Sequence, residues 1–233
     1  MLKINNLTKL YQNGKGIKDL SIHIKPGEIY GFIGHNGAGK TTTLKSVAGI
    51  TPFDSGEVLI DGISIKDEPL RAKKIMAYIP DNPDIYDFMK GIAYLDFIAD
   101  IYGVKEERKE LIDKYATLFE IKDSLNEPVS SYSHGMKQKL VIISALIHSP
   151  KLLLMDEPFV GLDPKATHIF KEIMKDICKN GGSVFFSTHV LDVAEKLCDE
   201  VAIVKDSVLI KSGTMEEVKG DDSLEDVFLE LEG

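Results

Sequence analysis

The first third of the chain alternates short apolar segments with glycine, proline and polar breaks. This pattern predicts short strands and one helix. The predicted strands lie at 2–7, 17–24, 28–33, 57–60, 63–65 and 75–79, and the helix lies at 40–48. Asp61-Gly62 separates two of these strands and is a typical hairpin turn pair. We therefore expect an N-terminal antiparallel β subdomain.

The middle of the chain changes to helical spacing of its apolar residues. Helices are predicted at 92–102, 111–119 and 140–147. Strand and helix patterns then alternate again, and a short amphipathic helix closes the chain. These segments lie at 151–155, 165–179, 183–187, 190–197, 201–204 and 224–231. Short apolar strands alternating with helices indicate an α/β fold with a mostly parallel sheet. We expect one domain, with 1–81 and 151–233 forming the α/β core and 82–150 forming an inserted all-helical subdomain.

Composition, net charge and cysteine content limit the kinds of partner and the cellular compartment that we expect for the chain. Hydrophobic residues make up 43% and charged residues 28% of the 233 positions, which is ordinary for a globular protein. The net charge of -9 argues against a nucleic-acid partner, because phosphate backbones attract clustered Lys and Arg. Cys178 and Cys198 form no C-x-x-C pair, and no signal peptide precedes the first strand, so we expect reduced thiols in a cytosolic protein. The apolar runs are too short to span a bilayer, so any membrane role requires a partner.

The segment 34–41 carries the most specific chemistry. Gly34, Gly37, Gly39, Lys40 and Thr41 satisfy the G-x-x-x-x-G-K-[ST] pattern between a predicted strand and a predicted helix. Glycines let backbone N–H groups approach phosphates closely, and the helix N-terminus adds its positive dipole end. Lys40 places a charge on the β/γ-phosphates, and the Thr41 hydroxyl binds Mg²⁺. These features predict a P-loop NTPase core. The full ATP-binding prediction for this segment is Gly34, His35, Asn36, Gly37, Ala38, Gly39, Lys40, Thr41 and Thr42.

A second signal is an apolar strand that ends in two carboxylates, Asp156 and Glu157. The carboxyl ends of strands are where open α/β sheets place their ligands. We predict that Asp156 holds Mg²⁺ and that Glu157 polarises the attacking water as general base. A helix cap or surface turn would explain the pair equally well if the phosphate loop were absent. The long stretch between Lys40 and Asp156 requires a large insertion between the two halves of the site.

Further segments give the chain a family resemblance. Tyr132-Ser-His-Gly-Met136 opens a helix before the acidic strand and is similar to the L-S-G-G-Q signature of ATP-binding-cassette (ABC) ATPases. Gly161-Leu-Asp163 and Ser187-Thr-His189 match two further motifs of that family, the loop that joins the subunits and the switch histidine. Tyr11 lies where the family stacks an aromatic ring on adenine. Taken singly, Tyr11 fits an ordinary strand aromatic, His189 a turn residue and Asp163 a helix cap followed by Pro164.

The resemblance implies a head-to-tail dimer with two ATP molecules in its interface, most simply a homodimer. Ser133, Gly135 and the helix that follows would contact the γ-phosphate bound to the other subunit. His189 would hold the γ-phosphate and stabilise charge in the transition state. Hydrolysis would loosen the dimer and move an attached integral membrane subunit.

The sequence departs from the family pattern in two places. The family usually has a metal-sensing Gln after the strand at 75–79, whereas this chain has Asp81 followed by Asn82. We predict that Asp81 still reaches the metal, while a donor role is lost or passes to Asn82. In the signature, His134 and Met136 replace Gly and Gln. We expect a working site, because Ser133 and Gly135 are retained, and we expect His134 to face solvent.

The altered signature and the segment 84–91 resemble bacterial exporters of drugs, bacteriocins, lipids or polysaccharides. The resemblance therefore implies a peripheral ATPase at the cytoplasmic face of the membrane, with 84–91 engaging the membrane subunit. Two alternatives remain open at this point. One is a non-transport ABC ATPase, such as an iron–sulfur assembly component. The other is a nucleotide-binding regulator that does not hydrolyse ATP, against which Lys40, Asp156, Glu157 and His189 argue.

Overall fold

The computed structural model describes residues 1–232, so Gly233, the last residue of the expected single domain, lies outside the described residues. Within this range the chain forms ten β-strands. They are β1 (Leu2–Leu10), β2 (Gly16–Ile24), β3 (Ile29–Ile33), β4 (Ser55–Ile60), β5 (Ile63–Ser64), β6 (Met76–Ile79), β7 (Leu152–Asp156), β8 (Ser183–Thr188), β9 (Glu200–Lys205) and β10 (Val208–Thr214).

The described residues also form nine α-helices. They are α1 (Lys40–Val47), α2 (Pro69–Lys74), α3 (Gly91–Tyr102), α4 (Arg108–Leu118), α5 (His134–Leu146), α6 (Pro164–Lys179), α7 (Leu191–Leu197), α8 (Met215–Lys219) and α9 (Leu224–Glu232). None of the helices in the described part of the chain is long and apolar enough to cross a lipid bilayer.

The smaller sheet has the order β2-β1-β4-β5, and all of its pairings are antiparallel. Its hairpin turn is the predicted Asp61-Gly62 pair, in which both residues have positive φ (50° and 78°). Two central positive φ angles are the requirement of a type I′ turn, which matches the twist of antiparallel strands. The predicted antiparallel subdomain is therefore confirmed.

The larger sheet has the order β10-β9-β3-β8-β7-β6. Its pairings are parallel except that of β9 with the edge strand β10. Every residue of β3, β7 and β8 is buried, as expected for strands with both faces covered. Successive residues of β7 point to opposite faces, so that Leu152 and Leu154 pack with the smaller sheet and α1, whereas Leu153 and Met155 pack with the helices.

Residues 82–150 contain α3, α4, α5 and two short 3-10 turns, Lys122–Ser124 and Val129–Ser131. The predicted α/β class with an inserted helical subdomain is therefore confirmed. The sequence pattern missed β10, α2 and α8. The edge strand β10 has no fully buried residue, and α2 and α8 are only six and five residues long, so none of them carries a strong hydrophobic period.

Candidate functional site

A cavity of about 310 Å³ lies where the phosphate loop meets the carboxyl end of β7. Most of the predicted site residues line it: Tyr11, Asn36, Gly37, Gly39, Lys40, Thr41, Thr42, Asp81, Asp156 and Glu157. Gly34, His35 and Ala38 belong to the same loop but do not line the cavity. Its wall also includes Asn13, Lys15 and Gly16, which the sequence did not single out.

The phosphate loop is held in place by close backbone packing. Gly39 precedes the first turn of α1 with φ of 109°, a conformation that L side chains rarely adopt. A Cβ atom there would also collide with the carbonyl oxygen of Gly16. Only glycine meets both conditions. Several residues of this loop and of the first turn of α1 line the cavity, and a helix N-terminus favours anions.

Lys40 is the buried cation of the site. Its Nζ donates to the carbonyl oxygens of Gly34 at 2.5 Å and His35 at 3.2 Å. Burial lowers the pKa of the Lys40 ammonium, and the charges of Glu157 and Asp156 oppose that shift. A phosphate in the cavity would replace the carbonyl contacts with a charge-assisted interaction.

Asp156 is 1% exposed and ends β7. The Ser187 hydroxyl donates a hydrogen bond to Asp156 Oδ1 from the neighbouring strand β8, where the two residues are register partners. Asp156 Oδ2 is buried and has no hydrogen-bond partner among the described residues. A buried carboxylate oxygen without a donor is costly unless a cation is bound, so this atom fits a metal ligand.

Glu157 follows directly with an unusual backbone. Its φ is 46°, a left-handed conformation that is uncommon outside glycine and recurs at functional sites. Its N–H donates to the Ser187 hydroxyl and carbonyl, both at 3.2 Å. Glu157 Oε1 lies 2.9 Å from His189 Nδ1 and 4.0 Å from Lys40 Nζ. The two predicted catalytic residues Glu157 and His189 are therefore in contact.

Tyr11 and Asp81 lie at the open sides of the cavity. Tyr11 is 44% exposed, and Lys9 Nζ lies 5.6 Å from the centroid of its ring. Asp81 is exposed, and its Oδ1 accepts a hydrogen bond from the Asn82 N–H at 2.8 Å. Both side chains are free to meet a ligand in the cavity.

The signature segment lies outside this cavity. Ser133 caps α5 by accepting a hydrogen bond from the Met136 N–H at 3.3 Å, and Ser133 is itself exposed. Gly135 packs so closely on Gly161 that a Cβ would lie 2.7 Å from the Gly161 carbonyl oxygen. The structure of the single chain thus does not bring Ser133 and Gly135 to the phosphate loop.

The signature segment is tied to the loop that follows Glu157. Lys139 and Asp163 form an ion pair at 2.6 Å, and Asp163 Oδ1 accepts from the Ala166 N–H at 2.8 Å, which caps α6 as the sequence allowed. The Lys139 ammonium and the Ala166 N–H lower the pKa of Asp163.

The expectation that His134 faces solvent was incomplete. Its side chain is exposed, but its ring also packs against Gly161, where a Cβ would collide with it.

Ser187 is the main residue that sequence reasoning missed as part of the site. A small polar residue near the end of a buried parallel strand was the available signal. Its significance depends on the register between β7 and β8, which places it opposite Asp156.

Comparison with known proteins identifies the family of the chain. Residues 17–160 match the model of the family described as ABC transporter. The chain is 33% identical over 237 residues to the ABC-type transporter ATP-binding protein EcsA of Bacillus subtilis, covering 99% of this chain and 96% of that protein.

Two further likenesses point the same way. The linearmycin resistance ATP-binding protein LnrL of Bacillus subtilis is 32% identical, with 92% of this chain and 69% of that protein covered. A solved structure described as an ATP-binding subunit of an ABC transporter superposes with a TM-score of 0.95 at 31% identity, covering 100% of both chains. The chain belongs to the ABC transporter family, as an ATP-binding subunit and an ATPase.

Proposed function

We propose that this ATPase works as a dimer that powers export through a separate integral membrane subunit. The observation that carries the proposal is the contact of Glu157 with His189 at the edge of a cavity that also contains Lys40. A phosphate-binding loop alone serves many NTPases. A general base and a histidine next to the same loop are suited to hydrolysis of the terminal phosphate.

ATP lies in the cavity with its phosphates on the loop from Gly34 to Thr42 and on Lys40. The start of α1 adds the positive end of its helix dipole. The exposed Tyr11 ring stacks on the adenine, where an aromatic face provides apolar contact without a fixed hydrogen-bond pattern.

Mg²⁺ fits the residues at the end of β7. Magnesium typically takes one or two carboxylates together with substrate phosphates. The buried Asp156 Oδ2 and the Thr41 hydroxyl are suitable ligands, and Asp81 faces the same cavity. The bound ion would neutralise charge on the phosphates.

Glu157 accepts the proton of the attacking water, and His189 holds the Glu157 carboxylate in place. The contact between Glu157 Oε1 and His189 Nδ1 also leaves Nε2 of that ring available for the γ-phosphate. The left-handed backbone of Glu157 and its two bonds to Ser187 restrict where its carboxylate points. Such restriction lowers the reorganisation needed during reaction.

A second copy of the chain completes each ATP site. Ser133 and Gly135 lie at the N-terminus of the 13-residue helix α5, and Ser133 is exposed. The N-terminus of this helix supplies a further anion-binding end to the site of the other copy. A homodimer is the simplest assembly, because one chain carries both half-sites.

The membrane subunit docks on an exposed aromatic cluster formed by Tyr86, Phe88 and Phe97. These residues are 54%, 84% and 43% exposed, and the centroid of the Tyr86 ring lies 5.8 Å from that of Phe88 and 6.4 Å from that of Phe97. Contiguous exposed aromatics mark interaction surfaces. The cluster lies in and beside 84–91, the segment that resembles the docking region of bacterial exporters. The chain is then a peripheral subunit at the cytoplasmic face of a bacterial membrane.

Export is favoured over other roles by the relative named for linearmycin resistance and by the form of the signature. A non-transport ABC ATPase, such as an iron–sulfur assembly component, is the alternative. The exposed aromatic cluster favours a docked partner for a transporter subunit and for a non-transport ATPase alike. The identity of that partner therefore distinguishes the two functions.

The dimer is tested with the Glu157→Gln variant, which retains the shape of the side chain but removes its basicity. We expect ATP with Mg²⁺ to convert this variant from monomer to dimer in sedimentation experiments, whereas ADP leaves it monomeric. A Glu157→Gln, Ser133→Arg double variant is the matched control and should stay monomeric with ATP. If Glu157→Gln remains monomeric at high protein and ATP concentrations, the dimer mechanism is wrong.

A further inference from the structure

The turn that joins β1 to β2 forms one side of the ATP cavity. Tyr11, Asn13, Lys15 and Gly16 of this segment all line the cavity. Only Tyr11 among them has a role in the proposed binding of ATP. The turn therefore also brings polar and charged groups to the nucleotide, besides an aromatic ring.

The turn is closed by hydrogen bonds of its own. The Tyr11 N–H donates to the Lys15 carbonyl oxygen at 2.8 Å, and the Gly14 N–H donates to the Tyr11 carbonyl oxygen at 2.9 Å. Asn13 Oδ1 accepts a hydrogen bond from the Lys15 N–H at 3.1 Å. An Asn side chain that bonds to the backbone two residues on is a common way to fix a turn. Tyr11 and Lys15 are therefore held as one unit, at the two ends of this turn.

The end of the turn packs directly on the phosphate loop. A Cβ atom added to Gly39 would lie 2.0 Å from the Gly16 carbonyl oxygen, so the two backbones are in contact. Gly39 immediately precedes Lys40 and the first turn of α1. Because Lys15 directly precedes Gly16 in the chain, its backbone lies next to the part of the loop where phosphates are expected to bind.

Lys15 is an available cation at this cavity. It is exposed, and among the side chains that the structure describes no carboxylate forms an ion pair with it. Lys9 also lies near the Tyr11 ring, but it pairs with Asp54 at 3.1 Å and does not line the cavity. Lys40 lines the cavity and donates to two carbonyl oxygens of its own loop. A phosphate that binds near the turn would therefore meet the charge of Lys15.

The position of Lys15 favours one phosphate group of ATP. Its backbone is hydrogen-bonded to that of Tyr11, the residue proposed to stack on adenine, so Lys15 belongs to the base end of the site. Lys40 Nζ lies 4.0 Å from Glu157 Oε1, so Lys40 belongs to the end where the terminal phosphate is cleaved. The phosphate next to the ribose is the α-phosphate, which lies between these two ends.

We propose that Lys15 binds the α-phosphate, so that the turn 11–15 holds the nucleoside monophosphate part of the nucleotide as one unit. The proposal rests on the placement of ATP in the proposed function and adds a binding residue to it. The α-phosphate is present in ATP and in ADP, and its bonds do not change during hydrolysis. The contact therefore contributes equally to binding of substrate, transition state and product, and it affects affinity rather than the chemical step.

Shortening the ligand tests which phosphate Lys15 contacts. Lys15→Gln retains most of the length of the side chain and removes its charge. We expect the dissociation constants of ATP, ADP and AMP to rise by the same factor, roughly fivefold, because one exposed ion pair is lost. The dissociation constant of adenosine should stay unchanged. Ligand-observed NMR, which detects weak binding, measures all four in EDTA, so that no metal ion contributes.

Three further variants serve as comparisons. Lys15→Arg retains the charge and should bind all four ligands as the parent does. Lys18→Gln is the matched control, because Lys18 is exposed on β2, does not line the cavity and gives the same change in net charge. Lys40→Ala should weaken binding of ATP and ADP but leave that of AMP nearly unchanged, since Lys40 is proposed to contact the outer phosphates.

Steady-state kinetics provides a second readout. For Lys15→Gln we expect KM for ATP to rise roughly fivefold while kcat stays unchanged, the pattern of lost uniform binding. A fall in kcat at saturating ATP would contradict the proposal, because it would place Lys15 in the chemical step. Lys15→Arg should restore the KM of the parent.

The pattern across the four ligands separates the possible errors. A loss for ATP alone, or for ATP and ADP but not AMP, overturns the α-phosphate contact and assigns Lys15 to an outer phosphate. A loss that includes adenosine also overturns it, since the turn or the base contact is then disturbed. Unchanged affinity for all four ligands shows that Lys15 does not touch the nucleotide. If Lys40→Ala leaves the affinity for ATP and ADP unchanged as well, the proposed placement of ATP is itself wrong.

Discussion

The two halves of the proposed ATP site differ in how completely the single chain builds them. In the half around Lys40, Asp156 and Glu157, Lys40 and Asp156 are buried, Lys40 donates to its own loop, and Asp156 and Glu157 are hydrogen-bonded to Ser187 of β8. The half around Ser133 and Gly135 lies at the start of α5, where Ser133 is exposed and Gly135 packs on Gly161 of the loop that precedes α6. Buried, prepositioned groups suit the chemical step, whereas an exposed helix end suits a contact that must form and break. Substitutions in the first half should therefore affect turnover, and substitutions in the second half should affect assembly.

The largest effect is expected from His189→Ala. The variant loses the contact with Glu157 Oε1 and the group proposed to stabilise the transition state. Turnover should fall about 10²- to 10³-fold, with nucleotide affinity nearly unchanged. Steady-state phosphate release and nucleotide titration measure the two quantities. His168→Ala, an exposed histidine on α6, is the control. An equal loss in affinity and turnover would contradict the assignment.

Ser187→Ala tests the support of the buried half. Asp156 Oδ1 loses its donor and Glu157 loses one of its two hydrogen-bond acceptors on Ser187. We expect turnover to fall roughly 10- to 100-fold and the Mg²⁺ concentration at half-maximal activity to rise, as for other residues that orient a metal ligand. Ser183→Ala, a buried serine at the start of the same strand, should leave the Mg²⁺ dependence unchanged. A similar shift in both variants would mean that β8 is merely destabilised.

Gly161→Ala tests the exposed half. The new methyl group collides with the His134 ring and is disfavoured at φ of 81°. We expect ATP-dependent dimerisation of the Glu157→Gln background to weaken roughly tenfold, while ATP binding by the monomer is retained. Adding His134→Gly should recover part of the loss, because it removes the collision but not the backbone strain. No recovery would show that the contact with His134 is unimportant.

The smallest effect is expected from Tyr11→Ala. Loss of one exposed aromatic stack should weaken nucleotide affinity by about 1 kcal/mol, which is roughly fivefold, without changing turnover at saturation. Tyr11→Phe is the matched variant and should bind nucleotide as the parent does. If Tyr11→Ala binds ATP and GTP as tightly as the parent, the ring does not stack on the base.

The buried half was predictable from the sequence because its motifs are local. A glycine-rich turn between strand and helix, and an apolar strand ending in Asp156-Glu157, each specify their surroundings within a few residues. The role of Ser187 was not predictable in the same way, since it depends on the register of two strands that are distant in sequence. The ion pair of Lys139 with Asp163 likewise depends on how α5 and α6 pack. Local chemistry can thus be inferred from one segment, whereas support between segments requires the fold.

The short distance along the chain from Glu157 to Gly161 has a consequence for how ATP would bind. Within each chain, Gly135 and His134 pack against Gly161. In the proposed dimer, Ser133 and Gly135 of that chain also contact the nucleotide bound to the other chain. A shift of the signature segment when it binds one nucleotide would therefore also move the backbone at Gly161, which is close in the chain to Glu157 at the other nucleotide. Because each ATP molecule would favour the same closed dimer, binding of one should raise the affinity for the other, and this coupling is reciprocal. The dependence of hydrolysis on ATP concentration should accordingly be sigmoidal, and the chain would act as one half of a cooperative pair.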